Sequence, residues 1–408
     1  MSHPSRAPPR IFLPLLAAAA ASAQNGNWTL VKLPNTHCLD GSPGAYYIRG
    51  PLTPGSPANT FIVYFEGGGW CAGLENCFDR AQSDLGSSTK YPSLPPNVAP
   101  NTVGYEGASL FTSPSFANAT VAYAKYCTGD SWTSFNATPS FFNNTLLYFQ
   151  GRPMLDSLIA SLLTRGLSAA RNVLIAGCSA GGLTAYTHVD YIASLLAPGT
   201  FVAGLADAMF AFPFGAFAGG PSPIFNVFEW VASLNSSAGL QQGCLNHFGE
   251  SNASQCLFGG VVAPFVQSPL FVVNSKHDTW QEITVVALNK TRCPGTIAAN
   301  GTITLCLPEF PAEGTYWVEY GQFMAASLAA LPKRHGGFLT NCPLHCQTGA
   351  GWADPSTGTV ATLGQAVERW WSDAVAHAGE PGFVAPRFVA DDADQCVGGC
   401  AHCATHEE

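Results

Sequence analysis

The sequence predicts an α/β fold in which helices cover a mostly parallel central sheet. Three features support this fold class: short apolar segments that alternate with helical patterns, a Gly-x-Ser-x-Gly pentad between one such segment and a helix, and a run of glycines after another segment. Strands that alternate with helices along a chain form parallel sheets, because the crossover between two parallel strands needs a long connection such as a helix.

The composition is that of a large folded protein. Of the 408 residues, 47% are hydrophobic and only 11% are charged, well below the roughly 25% charged residues of an average globular protein. A chain of this length can bury a large core. We expect residues 24–390 to form a single domain and residues 391–408 a polar, cysteine-containing tail. The net charge of -9 and the absence of any Lys or Arg run argue against nucleic acid as a partner.

The N-terminus has the pattern of a secretory signal peptide. Arg6 and Arg10 precede an apolar run from Ile11 to Ala20, and the small residues Ala21-Ser22-Ala23 follow. We expect cleavage after Ala23, so that residues 1–23 are a signal peptide and the mature protein is extracellular. The apolar run is shorter than the roughly 20 residues that span a bilayer. No later run is long enough either, and we expect no stable membrane insertion.

The numbers of cysteines and of glycosylation sequons also indicate a secreted protein. Fourteen cysteines favour disulfides formed in an oxidising compartment. Cys396, Cys400, His402 and Cys403 could instead be metal ligands, but their spacing fits no common zinc pattern, so we expect no metal. We expect no organic cofactor either. The sequons exceed the number expected by chance and predict a glycoprotein; they begin at Asn27, Asn118, Asn136, Asn143, Asn235, Asn252, Asn289 and Asn300.

Five short apolar runs read as buried parallel strands. They are Phe61–Phe65, Val121–Ala124, Val173–Ala176, Phe201–Leu205 and Leu270–Val273. A helix is predicted to start at Pro153, a favoured first-turn residue, and to end at Gly166. A last helix is predicted from Leu363 to Ala378, carrying Trp370 and Trp371.

The pentad Gly177-Cys178-Ser179-Ala180-Gly181 lies between the run ending at Ala176 and a helical pattern. This context is that of the nucleophile elbow of α/β-hydrolases, in which a sharp turn exposes the Ser hydroxyl above the sheet and small neighbours avoid clashes. We therefore predict Ser179 as a nucleophile. Its neighbour Cys178 should point away from the site, and we interpret it as a packing residue.

The glycine run follows the first predicted strand and reads Glu66-Gly67-Gly68-Gly69-Trp70-Cys71. Ester hydrolysis develops negative charge on a carbonyl oxygen, and backbone N–H groups stabilise that charge where the chain can approach closely. We predict an oxyanion hole whose donors lie at Gly69, Trp70 and Ala180. Glu66 stands where lipases often have a histidine.

In α/β-hydrolases an acid and then a histidine follow the nucleophile along the chain. Asp207 and Asp278 both follow predicted strands. Asp278 is favoured because it follows the later strand, and Asp207 is left as a structural or pocket residue. His345 is favoured because Cys342 and Cys346 can clamp its loop. The residues alone do not separate it from His335, His377, His402 and His406; His188 and His277 come too early.

Seven segments resemble the pectin acetylesterase family, which includes the animal Notum carboxylesterases. The likeness spans nearly the whole mature chain, and its segments are Asp40–Tyr47, Glu66–Cys71, Leu85–Ser88, Tyr126–Cys127 with Gly129–Asp130, Gly177–Gly182, Val273–Ser275 with Asp278 and Trp280–Gln281, and Asn341–Gln347. The resemblance implies an α/β-hydrolase fold with a triad at Ser179, Asp278 and His345. It also implies oxyanion donors at Gly69, Trp70 and Ala180, and disulfides Cys71–Cys77 and Cys38–Cys127.

The resemblance implies a secreted esterase that removes acetyl groups from pectin or a related cell-wall polysaccharide. We expect the protein to be a monomer. The alternative is a Notum-like enzyme that removes a longer acyl group from a protein. A catalytically inactive binding protein is a third hypothesis, which a missing triad member would have favoured. The segment Phe116–Lys125 departs from the family pattern, so substrate contacts near it are expected to differ.

Overall fold

A computed structural model describes residues 28–389, apart from 54, 57–58, 94–108, 217–219, 287–310, 343, 350–351, 353–361 and 381. The predicted signal peptide, the cysteine-containing tail and the sequons at Asn27, Asn289 and Asn300 lie outside the described residues.

The strands of the described chain are short, as the apolar runs predict. They are β1 Thr29–Leu33, β2 Gly44–Arg49, β3 Thr60–Phe65, β4 Thr120–Ala124, β5 Ser140–Phe142, β6 Thr145–Leu147, β7 Asn172–Cys178, β8 Phe201–Asp207, β9 Leu270–Ser275, β10 Gly336–Thr340 and β11 Arg387–Val389.

Helices connect most of these strands. They are α1 Gly73–Ala81, α2 Gly151–Leu163, α3 Ala180–Ser194, α4 Pro223–Ser233, α5 Gln242–Phe248, α6 Gly259–Val262, α7 Thr279–Thr284, α8 Pro311–Ala330 and α9 Leu363–Ala376. Short 3₁₀ segments lie at Leu167–Ala169, Ser237–Gly239, Glu250–Leu257 and Ala263–Phe265. None of the helices among the described residues is long and apolar enough to cross a membrane.

Nine strands form one sheet in the order β1-β2-β4-β3-β7-β8-β9-β10-β11, and β5 pairs with β6 in a separate hairpin. From β4 to β11 every pairing is parallel, whereas β1 and β2 join the sheet antiparallel. The prediction of a mostly parallel sheet in an α/β-hydrolase fold is confirmed. Because parallel strands share one direction, the carboxyl ends of β3, β7, β8, β9 and β10 lie along one edge.

Alternate residues of β7 pack on opposite sides of the sheet. Val173 belongs to a core cluster that also contains Leu158 of α2. Leu174 belongs to a second cluster with Phe271 of β9 and Trp370 of α9. Side chains of a strand alternate between its two faces. The central strands are therefore covered on both sides, which explains why their sequences are apolar without interruption.

The five predicted strands and both predicted helices are present with small shifts at their ends. The helix α2 begins two residues before Pro153, and α9 starts after a capping box formed by Thr362 and Gln365. Strand β10 was not predicted. It starts at Gly336 and Gly337, where a Cβ atom would lie 2.6 Å from Pro386 O and 2.7 Å from Leu328 Cδ1 respectively. Close packing therefore requires two residues that are rare in strands.

Four disulfides lie within the described part of the chain. Cys38–Cys127 and Cys71–Cys77 confirm the pairings that the family resemblance implies. Cys178–Cys346 and Cys244–Cys256 were not predicted.

Candidate active site

Ser179 is the single residue between a strand and a helix, and it forms a sharp turn. Strand β7 ends at Cys178 and α3 begins at Ala180, which leaves Ser179 with φ 58° and ψ -124°. A non-glycine residue in such a conformation stores backbone strain, and such strain is concentrated at functional sites. The predicted strand, turn and helix are therefore present.

Glycines make this turn sterically possible. A Cβ atom at Gly177 would lie 2.4 Å from Gly181 O, and one at Gly181 would lie 2.0 Å from Phe65 O. Real Cβ atoms do not approach so closely. Any larger residue at either position would push the turn away from β3, which carries the glycine loop at its end.

The glycine loop after β3 lies directly against the Ser179 turn. A Cβ atom at Gly67 would lie 3.0 Å from Ser179 Cβ. Gly69 has φ +68°, a conformation that glycine adopts without cost. Within the described residues, the backbone N–H groups of Gly69, Trp70 and Ala180 donate to no protein acceptor. An oxyanion hole requires such unengaged donors, so these groups agree with its prediction in this loop.

A hydrogen-bond chain connects the glycine loop to α3. Trp70 Nε1 donates to Ser131 Oγ at 2.8 Å, and Ser131 Oγ donates to Ala180 O at 2.8 Å. The Trp70 ring also packs on Phe228 of α4 and on Trp280 of α7, with ring centroids 5.0 and 5.7 Å apart. Trp70 is thereby fixed by one polar and two aromatic contacts.

Glu66 forms a buried ion pair with Lys125 and accepts a hydrogen bond from Tyr126 N at 2.8 Å. Burial raises the pKa of Glu66, although the Lys125 charge opposes this effect. Glu66 therefore ties the glycine loop to the end of β4. Lys125 belongs to the segment that departs from the family pattern, so this departure affects the support of the glycine loop.

Asp278 and His345 are hydrogen-bonded to each other. His345 Nδ1 lies 2.9 Å from both carboxylate oxygens of Asp278. Asp278 is fully buried and also caps α7, because its Oδ1 accepts from the backbone N–H groups of Trp280 and Gln281 at 3.0 Å. These contacts fix the carboxylate, which in turn orients the imidazole.

The other ring nitrogen of His345 has no such partner. His345 Nε2 is buried and makes no hydrogen bond within the described residues, while the Trp280 ring covers the imidazole at 5.5 Å. Burial alone would lower the pKa of His345, but the charges of Asp278 and Asp207 outweigh it and the pKa lies above its usual value.

Other histidines have structural contacts. His335 is buried in the core, where its Nδ1 accepts from Leu270 N at 3.1 Å and burial lowers its pKa to about 3. Burial likewise lowers the pKa of His188 to about 3. His377 is exposed at the end of α9 and donates to Asp373 O. His402 and His406 lie outside the described residues. Of the candidates that the structure describes, His345 is the one paired with Asp278.

Cys178 forms a disulfide with Cys346, so its interpretation as a packing residue was wrong. The bond joins the residue before Ser179 to the residue after His345. A ring nitrogen of His345 accordingly lies within 4.8 Å of both sulfurs. A metal ion is an alternative use of this cluster, but sulfurs in a disulfide are not thiolates and cannot serve as its ligands. Cys342, on the other side of His345, is disulfide-bonded as well.

Removing this disulfide should reduce both stability and catalysis. In a Cys178→Ser, Cys346→Ser variant we expect the free energy of unfolding to fall by about 2–5 kcal/mol. We also expect kcat to fall by about 10²-fold, because small displacements of catalytic groups have effects of that size. Thermal unfolding and ester hydrolysis measure the two effects.

The matched control is Cys244→Ser, Cys256→Ser, which removes a disulfide between α5 and the following 3₁₀ segment. This control should lose stability and keep kcat. A Cys178, Cys346 variant that lost only stability would show that the bond does not position His345.

Comparison with known proteins identifies the family. The model of the pectinacetylesterase family matches residues 19–380. The chain belongs to the pectinacetylesterase family. Pectin acetylesterase 11 of Arabidopsis thaliana is 32% identical over 345 residues, which are 82% of this chain and 83% of that protein. Pectin acetylesterase 7 of the same plant is 30% identical with the same coverage.

The chain is also similar to palmitoleoyl-protein carboxylesterases. Palmitoleoyl-protein carboxylesterase notum1' of Xenopus laevis is 28% identical over 275 residues, 63% of this chain and 52% of that protein. The mouse NOTUM protein is 28% identical over 287 residues. Both groups of relatives are carboxylic ester hydrolases by name, and this member of the pectinacetylesterase family is a carboxylic ester hydrolase.

Proposed function

We propose that this enzyme removes acetyl groups from pectin or a related cell-wall polysaccharide through an acyl-enzyme on Ser179. The observation that carries this proposal is the Asp278–His345 pair, which a disulfide holds beside a serine in a strained strand-to-helix turn. Over four fifths of the chain, the sequence is similar to plant proteins named pectin acetylesterases. This similarity supports acetyl as the acyl group that the enzyme removes.

In the first step, His345 Nε2 accepts the proton of Ser179 Oγ while Oγ attacks the ester carbonyl carbon. The unengaged N–H groups at Gly69, Trp70 and Ala180 then stabilise the negative charge on the former carbonyl oxygen. His345 returns the proton to the sugar oxygen as the carbon–oxygen bond of the ester breaks. The free sugar hydroxyl leaves, and the acetyl group remains on Ser179.

In the second step, His345 takes a proton from water, and the resulting hydroxide attacks the acetyl-serine. The same N–H groups stabilise the second tetrahedral intermediate. As the bond between Ser179 Oγ and the acetyl carbon breaks, His345 returns its proton to Oγ, which restores the hydroxyl and releases acetic acid. Asp278 acts in both steps, because its charge stabilises the imidazolium that forms each time His345 accepts a proton.

We also propose that the enzyme is secreted, glycosylated and active in the cell wall. The four disulfides among the described residues support folding in an oxidising compartment. The sequon at Asn143 is well suited to carry a glycan. Asn143 and Asn144 are exposed at the tip of the β5–β6 hairpin, and both have the positive φ angles of a tight hairpin turn.

The second candidate function is removal of a longer acyl chain, as the names of the Notum relatives describe. The specific observation in its favour is the aromatic group of Trp70, Phe228 and Trp280, which surrounds one side of the proposed oxyanion hole and of His345. Aromatic side chains provide apolar surface for an acyl chain.

The two functions are separated by a series of p-nitrophenyl esters from acetyl to palmitoyl, together with acetate release from acetylated pectin. We expect kcat/KM to fall as the chain lengthens and acetate to be released from pectin. A preference for long acyl chains without release from pectin would favour protein deacylation. Absence of hydrolysis with every ester would overturn both functions and indicate a binding protein.

A further inference from the structure

A second buried carboxylate lies at the same edge of the sheet as Ser179 and His345. Asp207 is the last residue of β8 and is fully buried. Its Oδ2 atom accepts three hydrogen bonds from two consecutive residues: Gln347 N at 2.7 Å, Thr348 N at 2.7 Å and Thr348 Oγ1 at 2.8 Å. Asp207 therefore holds the chain that immediately follows His345 and Cys346.

The main chain of Asp207 contacts the nucleophile turn at the same time. Ser179 N donates to Asp207 O at 2.9 Å, and a Cβ atom at Gly182 would lie 2.3 Å from that same oxygen. One residue thus contacts the Ser179 turn through its backbone and the His345 loop through its side chain. This bridge is independent of the Cys178–Cys346 disulfide, which joins the same two segments covalently.

The remaining carboxylate oxygen, Asp207 Oδ1, is buried and makes no hydrogen bond within the described residues. A buried acceptor without a hydrogen bond lowers the stability of the folded state. An apolar or neutral side chain at this position would avoid that cost. A buried carboxylate that keeps one oxygen unpaired therefore calls for a role that a hydrogen-bond anchor alone does not explain.

We propose that Asp207 is a positioning residue for the esterase reaction, one that fixes the His345 loop against Ser179 and supplies a second negative charge to the His345 imidazole. Asp278 orients the ring from one side. Asp207 holds the loop that carries the ring and adds its charge through space. This inference rests on the proposed function, because it assigns His345 as the base.

The electrostatic relations between these groups support the proposal. The charge of Asp207 contributes to the raised pKa of His345, after burial and the Asp278 charge. Burial raises the pKa of Asp207 itself to about 6, against its hydrogen bonds to Thr348 and Gln347. Burial and the Asp207 charge also raise the pKa of Tyr186 in α3.

The variant Asp207→Asn separates charge from anchoring. An amide oxygen can replace Oδ2 as the acceptor for Gln347 and Thr348, and its NH₂ group would occupy the place of the unpaired Oδ1. The loop stays anchored while the negative charge is lost. Without that charge the pKa of His345 should fall by about one pH unit, and the acid limb of the kcat/KM profile should move to lower pH by the same amount.

The variant Asp207→Ala removes the anchor as well, and we expect kcat to fall by about 10²-fold with a smaller change in KM. Thr348→Val keeps the Asp207 charge and removes one donor. It should lower kcat slightly without moving the acid limb, and it provides a test of anchoring even if the Ala variant does not fold.

The pKa of His345 can also be measured without activity, by NMR titration of histidine ring protons with and without Asp207→Asn in a Ser179→Ala background. A lower His345 pKa in the Asn variant supports the inference even if the proposed substrate is wrong. An unchanged pKa, or an Ala variant that folds and keeps full kcat, would overturn it.

Discussion

Replacing Ser179 with alanine should lower kcat/KM on p-nitrophenyl acetate by about 10⁴- to 10⁶-fold, the range seen when the nucleophile of a serine hydrolase is removed. The alanine variant keeps the three N–H donors of the proposed oxyanion hole and the Asp278–His345 pair, so a small residual rate over water should remain. Stability should change little, because only one hydroxyl group is lost and, within the described residues, Ser179 is hydrogen-bonded to the fold through its backbone.

The matched control is Ser168→Ala, since Ser168 is an exposed serine in the 3₁₀ turn before β7. It lies at the amino end of the strand that carries Ser179 at its other end, and its loss should leave kcat unchanged. A fluorophosphonate probe gives an independent readout, because it should label the wild type and the Ser168 variant but not the Ser179 variant. Labelling of the Ser179 variant, or a rate within tenfold of the wild type, would exclude Ser179 as the nucleophile.

Replacing Asp278 with asparagine should lower kcat by about 10⁴-fold, the effect known for the corresponding change in a serine protease triad. The Asn amide can donate to His345 Nδ1, which would place the ring proton on Nε2 and leave no acceptor for the Ser179 proton. Asparagine is as good an N-cap residue as aspartate. The cap of α7 should therefore survive, and thermal stability should fall far less than activity.

Glu282→Gln is the control for this variant, because Glu282 lies one turn further along α7. Burial and the nearby Asp278 charge raise the pKa of Glu282 to about 8, and glutamine resembles the protonated form that this shift favours. Its kcat at pH 7 should stay within about tenfold of the wild type. Comparable losses in both variants would mean that disruption of α7, rather than loss of the Asp278 carboxylate, explains the effect of Asp278→Asn.

Much of the fold could be predicted from the sequence because its signals are local. Strands β7, β8 and β9 are buried on both faces, and a strand so placed must be apolar throughout. Strand β10 carries no such signal, since its first two residues are glycines whose presence depends on contacts with Pro386 and Leu328, distant in sequence or on another element. Strand β1 at the sheet edge is mostly not buried and so carries no apolar run, and the buried strand β2 begins with glycine and ends with Arg49.

In the candidate site, too, some residues carry a local sequence signal and others do not. Ser179 and the glycine loop carry short motifs, and the order of residues along an α/β-hydrolase chain favours Asp278 over Asp207. The bond between Cys178 and Cys346 joins residues 168 positions apart, and the pairing of many cysteines cannot be read from their spacing. The contacts of Asp207 could not be predicted either, because its hydrogen bonds to Gln347 and Thr348 form only when β8 packs against the loop after β10.

The residues proposed for catalysis and the aromatic residue Phe228 come from different parts of the chain. Ser179, Asp278 and His345 follow the carboxyl ends of sheet strands, whereas Phe228 belongs to α4, which contributes none of them. Substitutions on α4 can therefore alter the space next to Trp70 while the geometry of the strand ends stays the same. Such independence allows one catalytic apparatus to be inherited unchanged while acyl preference diverges, consistent with a family whose members are named for groups as different as acetyl and palmitoleoyl.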